Sequence, residues 1–302
     1  MEESYRGRYE RMKRVRKQKQ RRRLAFFLLI VILIGGLAIW LFNRDEAEEE
    51  YQPYVSALNT SIQLASVPVA GLVDTHLLEL VNFRHAISRE PDRFILETAF
   101  PDIPAQNADL LLHVRARAAV LDWFRAANEE GIADFFIASG YRDLERQGEL
   151  FDAAEDASLV KPAGYSEHHT GLAIDIGIPG VPLLEMEGLP EVLWLAETAW
   201  EYGFILRYPE GLYAITGIAF EPWHFRYVGR LHAFYMHRNG LVLEQYLDRL
   251  TDRGILAITM EGRRYEVWHQ IPYNGMIYVP EHLPFSVSSD NMGGWIVTVE
   301  IG

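Results

Sequence analysis

Residues 164–177 read GYSEHHTGLAIDIG and place the tightest constraint on the fold, because the apolar run Leu172-Ala173-Ile174-Asp175-Ile176 is broken by a single carboxylate. Such a run reads as a buried strand, and an ionised carboxylate there is costly unless it is paired or bound to a metal. Two adjacent histidines stand just upstream, a turn at Thr170-Gly171 separates them from the strand, and Glu221-Pro222-Trp223-His224 supplies a further acid and imidazole. Imidazole and carboxylate are ordinary zinc ligands, and a catalytic zinc site takes three protein ligands and keeps a fourth position for water. Each residue alone also has a structural explanation, since a buried carboxylate often meets an Arg or backbone N–H groups. The combination favours a metal. Spacing does not choose between His168 and His169. Nor does it say how Glu221 and His224 converge, because a separation of three brings side chains together on a helix but sends them to opposite faces of a strand, and Pro222 disfavours a helical Glu221. The structural alternative for Glu221 is an ion pair with Arg226.

Ser166-x-His168-x-x-Gly171-x-Ala173-x-Asp175, followed by Glu221-x-x-His224, resembles the signature of the VanY-type D-alanyl-D-alanine carboxypeptidases, zinc peptidases related to the hedgehog-type fold. The resemblance extends to Ser139-Gly140-Tyr141-Arg142, to residues 202–209 and to residues 221–229, so it spans roughly residues 108–235. It implies an α+β zinc domain in which His168, rather than His169, joins Asp175 and His224 as ligands. Glu221 is then the general base. Arg142 stabilises a developing oxyanion or holds the substrate carboxylate, and Gln147 and Ser166 help to bind the peptide terminus. The implied substrate is the D-alanine-ended stem peptide of peptidoglycan. Relatives of this kind also cleave the L,D bond of tetrapeptides, free D-Ala-D-Ala dipeptide or internal wall bonds. The hedgehog relatives are metal-bearing binding modules without turnover, a reading that loss of Glu221 or Arg142 would favour; both are present.

Residues 1–23 carry eleven Lys and Arg against three Glu, so removing their +8 from the net charge of −13 leaves about −21 on the rest. That balance argues against a nucleic-acid partner for the folded part. Residues 24–42 run for nineteen positions without a charge, with Trp40 near one end, which is long enough for a transmembrane helix. A signal peptide would have a shorter apolar core and a small-residue cleavage site. The expectation is therefore an uncleaved single-pass anchor in the cell membrane, with the basic tail cytoplasmic and the catalytic domain outside. The chain has no cysteine, which excludes disulfides and a lipidated cysteine alike.

Residues 43–104 read as an acidic linker and a segment that wraps the domain after it, with a short helix near 74–83. His76, His85 and His113 fall outside the motif and are read as surface or core residues. The zinc peptidase domain is expected over 105–240. Within it, Leu111, Val114, Ala118 and Leu121 recur at helical spacing over 108–130, with Leu110, Trp123 and Phe124 widening the face. A buried strand follows at 134–138. Asp143 can cap the next helix, where Gln147 shares a face with Leu144, Leu150, Phe151 and Ala154 and so needs a polar partner. Pro190 starts a helix that Gly203 ends, and short strands are expected at 204–206 and 218–220. Residues 255–302 read as a small β module with a turn at Asn274-Gly275 and a last strand through Trp295, Val297, Val299 and Ile301. His269 and His282 are expected at its surface.

Overall fold

The structure, a computed structural model, describes residues 60–132, 134–154 and 160–302. The elements in chain order begin with β1 (Leu64–Pro68), β2 (Leu96–Thr98), β3 (Leu111–His113), α1 (Val114–Glu129), β4 (Phe136–Ser139) and α2 (Leu144–Ala153). Next come β5 (Ala173–Gly177), α3 (Pro190–Thr198), β6 (Phe204–Leu206), the single turn α4 (Tyr213–Thr216), β7 (His224–Tyr227), α5 (Arg230–Asn239) and α6 (Leu243–Arg253). Five strands end the chain: β8 (Ile255–Met260), β9 (Arg263–Gln270), β10 (Met276–Pro280), β11 (Phe285–Ser289) and β12 (Trp295–Glu300).

Two four-stranded sheets dominate, one ordered β4-β5-β7-β6 and the other β11-β12-β9-β8. Every pairing within them is antiparallel. The first sheet is the site's platform. Its backing helix α1 buries Ala116, Val120, Trp123, Phe124 and Ala127, positions that recur every three to four residues. Trp123 is fully buried, edge-on to Phe225 of β7 with ring centroids 5.1 Å apart and stacked on Phe204 of β6 at 5.4 Å. Truncating a buried Trp of this kind costs roughly 3–5 kcal/mol, so this contact fixes helix and sheet in one register. Leu256, Ile258, Met260, Val267 and Ile296 of the second sheet belong to the same hydrophobic cluster as Trp123 and Phe225.

Several expectations are corrected by tertiary contacts. The first helix begins at Val114 instead of 108, because Leu111–His113 pair with Leu96–Thr98, and its buried face turns away from Ala118, which is exposed. Residues 74–83 form turns and a bridge and no helix. Thr75 N–H and Leu80 N–H donate to the carbonyls of Val287 and Asp290, so the segment is strapped to the carboxyl-terminal sheet. Residues 218–220 are not a strand. His269, expected at the surface, is buried and lies 2.8 Å from Asp290, whereas the His282 side chain is exposed as expected. Asn274 and Gly275 take φ of 51° and 73° with Tyr273 bridging Met276, the two-residue turn that the sequence calls for; β10 then pairs with β1.

The membrane expectation is also corrected. Residues 24–42 lie outside the described residues, and among the described residues no helix is long and apolar enough to cross a membrane. The single-pass anchor, and the location drawn from it, have no support in the structure and are withdrawn.

Candidate metal centre and cleft

Asp175 and His224 face each other because they are register partners across β5 and β7. Ile174 and Ile176 point the other way, into the core, which explains how one carboxylate interrupts an apolar strand. Glu221 reaches the same place through a tight turn at Pro222-Trp223, in which His224 N–H donates to the Glu221 carbonyl at 3.2 Å. Its carboxylate comes within 3.6 Å of His224 Nδ1. The spacing of three is thus neither helix nor strand but the turn that starts β7.

His168 and His169 sit in a 3-10 turn, Glu167–Thr170, capped by the Ser166 hydroxyl and ended by Gly171 at φ 68°. A Cβ at Gly171 would lie 2.7 Å from Leu96 Cδ2, so both the conformation and the close packing require glycine. The structure separates the two histidines by their partners. His169 has both ring nitrogens committed to backbone, Nε2 to Gly164 N–H at 2.9 Å and Nδ1 to the Arg142 carbonyl at 2.7 Å. His168 has Nδ1 on the Gly140 carbonyl at 2.7 Å, and a carbonyl can only accept, so the ring proton is on Nδ1. Its Nε2 is buried, has no hydrogen-bond partner and faces Asp175 Oδ2 at 3.3 Å.

A lone pair aimed at a carboxylate oxygen is repulsive unless a cation lies between them. Burial and neighbouring charges pull the groups of the site in different directions. Burial and the Arg142 guanidinium push His168 down to about 4. Burial would lower His224 too, yet its hydrogen bond to Asp175 and the nearby Glu167 carboxylate drive it up to about 9. Burial would raise Asp175, but His168 and His224 hold it far below the usual carboxylate range. Ligand atoms of His168, Asp175 and His224 all lie within 4.8 Å of one another, a set that could hold a metal ion. Burial also pushes the Glu221 carboxyl up to about 7, against the pull of His224.

Arg142 is held from three sides. Its Nε donates to Ser139 Oγ at 3.1 Å, Nη1 donates to Gln147 Oε1 at 2.8 Å, and Nη2 lies 3.5 Å from Asp175 Oδ2. Gln147 also donates to the Lys161 carbonyl and is the one fully buried residue of α2, while Leu144 on the expected apolar face is 42% exposed. The buried amide therefore has the polar partners that its position requires, the Lys161 carbonyl and the Arg142 guanidinium. Arg226 pairs with Glu167 rather than with Glu221. His168, Asp175, His224, Glu221, Arg142, Gln147 and Ser166 all line a single cleft of about 710 Å³.

Sequence reasoning missed three neighbours. Tyr208 packs on the His224 ring at 4.7 Å, Lys161 lines the cleft, and Glu167 reaches toward His224 from behind. Arg207 and Arg226, charges inside apolar runs, were the available signal that a buried acid stood opposite them. A second group, Asp74, His76 and Glu79, also gathers three ligand atoms within 4.8 Å. There Arg89 Nη2 stands 2.9 Å from His76 Nε2, and a guanidinium beside the imidazole opposes another cation.

Fold and site together define a metallopeptidase-like centre. Residues 109–230 match the family model described as VanY, D-alanyl-D-alanine carboxypeptidase. The chain is 32% identical over 190 residues to the bifunctional D-Ala-D-Ala dipeptidase and D-Ala-D-Ala carboxypeptidase VanXYC of Enterococcus gallinarum, covering 57% of this chain and 94% of that protein. It belongs to the VanY family. A D-alanyl-D-alanine carboxypeptidase of Enterococcus faecium is 44% identical over 170 residues, which are 56% of this chain and 55% of that protein, so the chain spans little more than half of that relative's length. The solved structure of the vancomycin resistance D,D-dipeptidase VanXYg, in complex with a D-Ala-D-Ala phosphinate analogue, shares the mixed α and β fold. Its TM-score is 0.67 at 24% identity, over 80% of this chain and 100% of that one.

Proposed function

We propose that this protein is a zinc-dependent carboxypeptidase that removes the C-terminal D-alanine from peptidoglycan stem peptides. The observation that carries the reading is the convergence, in one cleft, of the His168, Asp175 and His224 ligand set with the Glu221 carboxylate and the Arg142 guanidinium. Family membership supplies the substrate class.

His168 Nε2, an Asp175 oxygen and a ring nitrogen of His224 would hold the metal. Zinc bound there supplies Lewis-acid polarisation of the scissile carbonyl and an activated water. Glu221 accepts a proton from the attacking water and returns it to the departing D-alanine nitrogen; a carboxyl raised to about 7 is matched to that exchange at neutral pH. Arg142, locked by Ser139 and Gln147, presents its charge to the developing oxyanion or to the substrate's terminal carboxylate. Gln147 and Ser166 complete the pocket for the peptide terminus. The chemistry lies within residues 105–240, and the strands of 255–302 serve as a packing partner.

Metal analysis tests the reading. Purified protein should hold one zinc per chain, and His224→Ala should lose both metal and hydrolysis. Undiminished zinc in His224→Ala would remove this ligand set.

A further inference from the structure

Glu167 lies behind the ligand set, its side chain fully buried. One oxygen, Oε1, accepts from Arg207 Nε at 2.9 Å and from Arg226 Nη1 at 3.1 Å. Those two arginines are otherwise satisfied. Arg207 makes a two-pronged pair with Glu244, at 2.8 and 2.7 Å, and Arg226 Nη2 donates to the carbonyls of Leu77 and Glu79 at 3.2 and 3.0 Å. Two cations thus meet two anions, and the pairing uses only Oε1 of Glu167. The second oxygen, Oε2, is buried without a hydrogen-bond partner and faces His224 Nε2, also buried and unpartnered, at 3.8 Å.

The other face of the His224 ring fixes what that approach means. Nδ1 lies 2.9 Å from Asp175 Oδ1 and 3.6 Å from Glu221 Oε2, so Nδ1 is the nitrogen on the ligand side. An imidazole that gives up the Nδ1 proton it shares with Asp175, and so offers a metal a lone pair there, carries its remaining proton on Nε2. A ligating histidine ordinarily donates that second N–H to a carboxylate or carbonyl, which fixes tautomer and ring orientation. His168 already does so through Nδ1–H on the Gly140 carbonyl at 2.7 Å. A closer approach of under about 1 Å gives His224 the same kind of anchor.

We infer that Glu167 is a positioning residue that accepts Nε2–H of His224 and so turns the His224 Nδ1 lone pair toward Asp175 and His168. The inference rests on the metal reading above. One 3-10 turn then supplies a metal ligand from His168 and the orienting carboxylate for another. Arg207 and Arg226 hold that carboxylate in place, and Arg207 ties it through Glu244 to α6.

The test uses the full-length protein. In the zinc-loaded wild type, nitrogen-detected NMR of the imidazoles should locate the His224 ring proton on Nε2. Zinc competition against a chromogenic chelator then compares Glu167→Gln and the double variant Glu167→Gln with Arg226→Met. With the arginines claiming the oxygen of the introduced amide, its NH₂ group would face Nε2, so Glu167→Gln should bind zinc roughly 10- to 100-fold more weakly. The double variant removes one cation with one anion and keeps the core balanced should the single variant fail to fold. It should remain equally weak. A ring proton on Nδ1 overturns the inference, as does recovery of wild-type zinc affinity in the double variant, which would reduce Glu167 to charge balance. Failure of the wild type to bind zinc overturns the metal reading itself.

Discussion

Gly140 should not tolerate a methyl group. A Cβ at this position would lie 2.5 Å from the Leu111 carbonyl oxygen and 2.7 Å from the Cδ2 atoms of Leu110 and Leu112, where ordinary contact begins at 3.4 Å. About 0.9 Å must therefore be found against backbone. Leu111 O cannot yield freely, because it accepts the Tyr141 N–H at 2.8 Å, and β3 is paired with β2 on its other side. Forcing atoms into a filled site of this kind costs roughly 1–3 kcal/mol. The same residue's carbonyl orients His168, so the displacement passes to the ligand set, where misplacement by about 1 Å can cost on the order of 100-fold in rate. Urea unfolding and steady-state hydrolysis of a stem peptide measure the two effects on Gly140→Ala. Gly148 is the control, because nothing lies within 4 Å of an added Cβ there and the position is inside α2. Gly148→Ala should gain about 0.5–1 kcal/mol with unchanged rate. A Gly140→Ala protein as stable and active as wild type would refute the packing argument.

Glu221→Ala should keep its zinc while hydrolysis falls by roughly 100- to 10,000-fold, the contribution of a positioned base; near-normal turnover with metal in place removes Glu221 from the mechanism. His232 is fully buried against Tyr246 Oη at 2.7 Å, and burial lowers its pKa from 6.5 to about 4. The unfolded chain takes up that proton first, so the stability that His232 contributes is complete above pH 6.5 and is lost as pH falls toward 4, by up to about 3 kcal/mol. His232→Gln should make urea midpoints fall less steeply across that interval, since His168 and His113 are lowered over the same range, and midpoints that fall in parallel with wild type would exonerate the histidine.

The cleft was more legible than its scaffold. Asp175 announced itself because a charge in an apolar strand must be answered, and the motif around it selected His168 where spacing left His169 equal. The convergence of Glu221 on His224 was hidden, since a Pro222-Trp223 turn belongs to neither helical nor strand periodicity. Glu167 was hidden for a different reason: its partners Arg207 and Arg226 are 40 and 59 residues away, and sequence order does not record which buried charges meet. Residues 74–83 looked helical because their apolar spacing is real, but Leu77, Leu78, Leu80 and Val81 are buried by a segment whose backbone bonds go to the carboxyl-terminal sheet and to Arg226. Leu111 to His113 continued the periodicity of α1 and were claimed by β2 instead.

The proposed reaction removes one D-alanine from the end of a stem peptide, and its products identify it directly. Full-length zinc-loaded protein should be incubated with a defined pentapeptide stem ending in D-Ala-D-Ala, and the products weighed by mass spectrometry, with Glu221→Ala run in parallel. The wild type should yield a tetrapeptide and free D-alanine, and the variant should leave the pentapeptide intact. A wild-type protein that holds its zinc and leaves the pentapeptide whole, or releases only the D-Ala-D-Ala dipeptide, would contradict that reaction.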